Sequence, residues 1–327
     1  MLRSFFLQRE WAIWAYGIGA VLFGLLWGQV SMTVMINEWY REFYDLLQGA
    51  PDNATIEEFW VLIIEFGKIV SVYVPVAVLT SYITRVYALR WRQAMTFYYI
   101  PWWQKVDEEI EGASQRIQED TYRFARIVES LGLQVVRALM TLIAFLPILW
   151  QLSEDIVLPH FGKFDGSLVW VALALTIGGL IISWFVGIKL PGLEYNNQKV
   201  EAAFRKELVY GEDDKANYAQ TENLVQLFTG IRINYHRLFA HYGYFDLWVT
   251  IYNQFVIIVP FLLIGPSIIA GSATLGVAMQ VNNAFDKVHG AFSLFIDNWT
   301  TITELRSIVK RLREFETNLR KFNPDWA

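Results

Sequence analysis

Three glutamates in the stretch KLPGLEYNNQKVEAAFRKELVYGEDD, residues 189–214, are spaced so that they could do chemistry together. At 100° per residue, with Glu194 at zero, Glu201 falls at about −20° and Glu212 at about 0°, while Glu207 falls on the opposite side. On a continuous helix, Glu194, Glu201 and Glu212 form one column roughly 27 Å tall. Carboxylates lined up beside a water-filled cavity can pass protons, because low-dielectric walls and like charge favour uptake of a proton near neutral pH. Glu129, near the cytoplasmic start of an apolar segment, is a candidate to join them. The plainer reading stays open. Arg205 lies four residues after Glu201 on the same face, an ordinary stabilising pair, and Gly211 is able to end the helix before Glu212. Arg137 interrupts an apolar run, where a basic side chain faces a cavity or a partner, or snorkels to the cytoplasmic edge. It is a candidate for a substrate cavity.

Other chemistries find no support. Gly67-Lys68 and Gly162-Lys163 lack both the upstream Gly and the following Ser/Thr of a Walker A loop, so ATP hydrolysis by that route is not expected. GxSxG, HExxH and GxGxxG are absent. The four histidines have no metal-ligand pattern, and with no cysteine there is no disulfide, thiolate site or thiol nucleophile. A net charge of −5 gives no basic footprint for nucleic acid. The expectation is a protein that is not an enzyme and carries no metal or organic cofactor.

The elements that must position these residues are apolar. Hydrophobic residues make up 54% of the 327 and charged residues 18%, against about a quarter charged in soluble chains. A spanning helix needs about 20 mostly apolar residues. Six such segments emerge: 11–37, 60–82, 131–152, 166–188, 247–264 and 273–297. The first carries no formal charge and is too long for a signal peptide. In the second, Glu65 and Lys68 stand three apart and can meet on one face. Residues 247–285 hold no Asp, Glu, Lys or Arg and are too long for one span; Gly265-Pro266 and Gly271-Ser272 lie in the middle, where a hairpin would turn. Ala20, Gly24 and Gly28 form a small-xxx-small stripe suited to close helix packing.

Basic residues alternate along the chain. Segments 85–129 and 189–246 hold seven Lys/Arg each, as does the region from Lys287 onward, whereas 38–58 holds only Arg41 and 154–165 only Lys163. The positive-inside rule then predicts six spans with both termini cytoplasmic. The inner segments mix charges and aromatics at helical spacing, with a kink expected at Pro101, and read as membrane helices prolonged into the cytosol. The fold class is an all-α membrane protein: one transmembrane domain over residues 1–327.

The stretch 189–214, together with RWRQAM at 90–95, EGASQRIQEDTYRFA at 111–125, MTLIAFLPIL at 140–149 and residues 273–316, resembles the SbmA/BacA family of inner-membrane peptide transporters. The resemblance implies a homodimer in the Gram-negative inner membrane, with a fold like the membrane part of an ABC exporter without its nucleotide-binding domain. It implies import of peptides and peptide-like antibiotics, driven by the proton gradient through cavity glutamates. By motif these fall on Glu129 in RIVESLG, Glu201 in KVEAAFR and Glu212 in YGEDD, so two of the three belong to the column above. Protons would be the coupling ion, and peptides and membrane lipid the other partners. Longer members carry a further hydrophobic portion before the first helix, whereas this sequence begins almost directly at that helix. The alternative expectation is a transmembrane subunit of an ATP-driven transporter that uses a separate ATPase.

Overall fold

A computed structural model describes residues 1–49, 54–106, 108, 110, 112–156, 162–214, 217–218 and 220–323. Among them there are helices and no strand. Eight helices carry the architecture: α1 (Gly19–Gly49), α2 (Ile56–Trp103), α3 (Leu133–Leu152), α4 (Ser167–Gly187), α5 (Leu190–Asp213), α6 (Thr221–Ile269), α7 (Leu275–Asp297) and α8 (Trp299–Phe322). Local chemistry sets several of their ends. Thr55 and Glu58 close a capping box at the start of α2. Pro191 sits in the first turn of α5, where its missing N–H is not needed. Gly271, at φ +73°, ends α6 with the left-handed turn that residues bearing a Cβ resist.

Five helical stretches are long and apolar enough to cross a membrane: Arg9–Gly49, Ile56–Trp103, Ala113–Leu152, Ser167–Asp213 and Thr221–Ile269. Each runs to 40 residues or more, well past the ~20 that a bilayer requires. The sixth expected span falls on α7, which does not reach that apolarity. α2 runs through Pro101 to Trp103, and α6 runs through Gly265 and Pro266 before the chain turns at Gly271. Of the two turn signals between the last two expected spans, only the second is used, because Pro266 can sit inside a helix whose other backbone bonds hold while an αL glycine cannot continue one.

The chain divides into two compact units, Met1–Leu173 with Pro260–Ala327, and Ala174–Val259. In the first, α1 and α2 pair antiparallel: the Trp39 indole donates to the Leu62 carbonyl at 2.8 Å, Gln29 meets Thr80, and the Tyr87 hydroxyl donates to the Ala15 carbonyl at 3.3 Å. A buried aromatic and aliphatic cluster then collects Phe5, Trp91, Tyr99, Phe124, Ile308 and Phe315. It fixes the N-terminal segment and α8 against the far end of α2.

The second unit is an antiparallel helical hairpin. On α5 the residues not exposed are Leu190, Leu193, Glu194, Asn197, Val200, Glu201, Phe204, Glu207 and Gly211; from Leu193 onward Leu193, Asn197, Val200, Phe204, Glu207 and Gly211 alternate four and three apart as a coiled-coil seam does. The same spacing runs along α6. The register holds over the whole length: the Tyr252 hydroxyl donates to the Leu175 carbonyl at 3.0 Å, the Trp248 indole donates to the Ser183 hydroxyl at 2.9 Å, and Phe204 meets Phe228 with centroids 6.0 Å apart. Tyr252 covers Gly179 so closely that a Cβ there has no room.

Candidate functional site

The glutamate column stands on one unbroken helix. α5 continues through Gly211 to Asp213, so Glu194, Glu201 and Glu212 share one face as their spacing predicts. The seam places that face. Its centre lies roughly 100° from Glu194 around the helix axis, which puts the three carboxylates on the rim of the packed surface. Glu194 and Glu201 are half-buried there and Glu212 is exposed. Glu207 points the other way and falls in the seam itself, half-buried.

None of the three forms an ion pair among the described residues. Arg205 does not bridge to Glu201, although the two are four apart, and the ion pairs present involve other residues. The i,i+4 pair that the sequence allows is therefore not formed. Asn197, one turn from both Glu194 and Glu201, is buried with its amide oxygen unpartnered. The rim thus presents uncompensated carboxylates beside a hydrogen-bonding group, an arrangement able to hold and release protons or a cationic group.

Glu129 is differently placed. It belongs to the first unit, in a π-helical turn (Val128–Gly132) leading into α3, half-buried, with the Arg85 guanidinium 3.6 Å away. Sequence reading gave no hint of Arg85, because 44 residues separate the two and only the packing of α2 brings them together.

Arg137 is exposed on α3, yet its guanidinium is not adrift. Nη2 donates to Gln29 Oε1 at 3.0 Å, Gln29 Nε2 donates to Thr80 Oγ1, and Thr80 donates to the Val76 carbonyl at 2.7 Å. This chain of donors crosses three helices. Gln29 is the polar residue that sequence reading passed over: it stands in the charge-free run of residues 11–37, and an amide in the middle of such a run was the available signal. Among the described residues no group of His, Asp and Glu side chains is arranged to hold a metal.

The model of the SbmA/BacA-like family matches residues 8–320. The inner membrane ABC transporter ATP-binding protein YddA of Escherichia coli is 26% identical over 316 residues, which cover 90% of this chain and 56% of that protein. An uncharacterized ABC transporter ATP-binding protein of Synechocystis sp. is 25% identical over 331 residues, 96% of this chain and 47% of its own. The chloroplastic ABC transporter D family member 2 of Arabidopsis thaliana is 26% identical over 312 residues, 91% and 42% respectively. The chain spans about half the length of these curated relatives.

Proposed function

The chain belongs to the SbmA/BacA-like family, and from that premise we propose that it is a secondary transporter, driven by the proton-motive force, that imports peptides and peptide-like antibiotics across the bacterial inner membrane. In this reading α7 is the sixth span, since it packs along α1 and α3, both parts of helices apolar enough to cross. Both termini are cytoplasmic and two copies form the transporting unit, with a fold like the membrane part of an ABC exporter. The observation that carries the proposal is the rim of α5: three carboxylates on one face with no ion pair among the described residues to neutralise them. Protonation of Glu194, Glu201 and Glu212 removes charge from that rim and favours one conformation of the cavity. Release of the protons on the other side restores the second. Glu129 and Arg137 are the further candidates for coupling and for substrate contact.

The names of the relatives support a second reading. Each is called an ABC transporter protein, and two of the three an ATP-binding protein. In that reading this chain is the membrane part of an ATP-driven transporter and a separate ATPase supplies the energy.

One experiment distinguishes the two. Proteoliposomes containing the purified chain are offered a fluorescent proline-rich peptide. A gradient that is acid outside should drive uptake, an uncoupler should abolish it, and Glu201→Gln should reduce it about tenfold or more. Uptake that ignores the gradient but appears when a co-purifying ATPase and ATP are supplied would displace the first reading in favour of the second.

A further inference from the structure

Two buried amide side chains in the first unit carry polar atoms that have no partner among the described residues. Asn37 on α1 is 2% exposed and Gln280 on α7 is 6% exposed. Among the described residues, neither polar atom of Asn37 has a hydrogen-bond partner, nor does Gln280 Oε1 or Asn283 Nδ2. A buried amide group left unbonded loses its hydration with nothing in return, so four such atoms close together call for an explanation.

They are close together because of helix register. At its N-terminus α7 is clamped to α1: the Leu275 amide donates to Gln48 Oε1 at 2.7 Å and the Gly276 amide to Asp45 Oδ1 at 2.9 Å. The Arg41 carbonyl lies where a Cβ of residue 276 would stand, so the two backbones touch. The helices are antiparallel from that point. At 1.5 Å per residue, Asn37 on α1 comes level with a point between Gln280 and Asn283 on α7. Faces agree as well as levels. Asn37, Arg41, Asp45 and Gln48 follow one stripe of α1, and Gly276, Gln280 and Asn283 follow one stripe of α7, at intervals of three or four residues.

We propose that Asn37, Gln280 and Asn283 form a buried site for ordered water between α1 and α7, beneath the backbone clamp at Gly276. The ligand class follows from the free atoms. Two amide nitrogens would repel a metal cation and two amide oxygens would repel an anion, whereas water donates and accepts at once. A buried water makes about three bonds to otherwise unsatisfied groups, which matches the supply. A peptide group has the same dual character, but the clamp and the burial of Asn37 leave it no room to enter. The seam between α1 and α7 is thus sealed at one end by backbone contact and wetted below it. The inference stands whatever the protein transports.

The test uses the full chain in lipid nanodiscs, at a resolution that shows bound solvent. Density is expected within about 3.2 Å of at least two of the three amides. Direct amide-to-amide bonds or a dry seam would overturn the proposal, as would a cation coordinated only by oxygens at roughly 2.4 Å. Thermal melting supplies a second measurement. Asn37→Leu should lower the melting temperature by several degrees by stranding water against Gln280, and Asn37→Leu with Gln280→Leu should recover most of that loss. Strictly additive losses would count against the site.

Discussion

Arg311 and Asp120, 191 residues apart, are joined by two parallel hydrogen bonds, Nη2 to Oδ1 at 2.7 Å and Nε to Oδ2 at 3.0 Å. Asp120 is 1% exposed and also accepts from Arg116 Nη1 at 3.0 Å. The bonds to Asp120 hold the Arg311 pKa above its ordinary value. It fastens α8 to the helical segment that precedes α3. Two guanidinium groups sharing one buried carboxylate leave a charge exposed to the interior when that carboxylate is removed.

Asp120→Ala should therefore cost about 3 kcal/mol, the low end of the range for a buried pair, because Arg311 keeps some contact with solvent. A lower melting temperature should be accompanied by proteolytic cleavage within α8. Arg311→Lys keeps the charge and loses the fork, so it should fall between the variant and the parent.

The hairpin of the second unit makes its own prediction. Gly179→Val has to push aside the Tyr252 ring and break its bond to the Leu175 carbonyl. Overpacking of this kind costs about 1–3 kcal/mol. Combining it with Tyr252→Ala should restore stability relative to Gly179→Val alone, measured by melting in detergent; a further loss in the double variant would contradict the close packing.

Glu201 offers a contrast between stability and activity. With no ion pair to lose, Glu201→Gln should change stability by no more than about 0.5 kcal/mol. Gradient-driven peptide uptake should nevertheless fall. A parallel loss of both would mean that the carboxylate supports the hairpin and does not couple transport.

Gln29→Leu removes the acceptor of Arg137 and the donor to Thr80 in one change. Stranding these groups should cost about 1–3 kcal/mol. Adding Arg137→Met should recover part of it, because the guanidinium no longer needs a partner. Melting curves of the two variants and their combination give the coupling directly.

Much of the site was legible before any fold. The common face of Glu194, Glu201 and Glu212 follows from 3.6 residues per turn, and α5 is continuous across Gly211 as that required. The expected pairing of Glu201 with Arg205 failed for the same local reason that made it plausible: spacing permits such a pair, but exposed lysine and arginine side chains gain little by holding one geometry. Arg85 beside Glu129, and Gln29 with Thr80 behind Arg137, were out of reach, since each needs two helices placed side by side.

Residue order alone fixes that long apolar helices dominate and which glutamates share a face. These properties belong to the backbone and its nearest neighbours, and the period of the helix writes them into residue order. Only the tertiary structure decided which way each face turns: the seam that sets the glutamates on a rim, the clamp of Gly276 against Arg41 and Asp45, and the fork between Arg311 and Asp120. Those depend on the register of one helix against another, which is fixed by packing summed over many weak contacts and leaves no mark in any single stretch of chain.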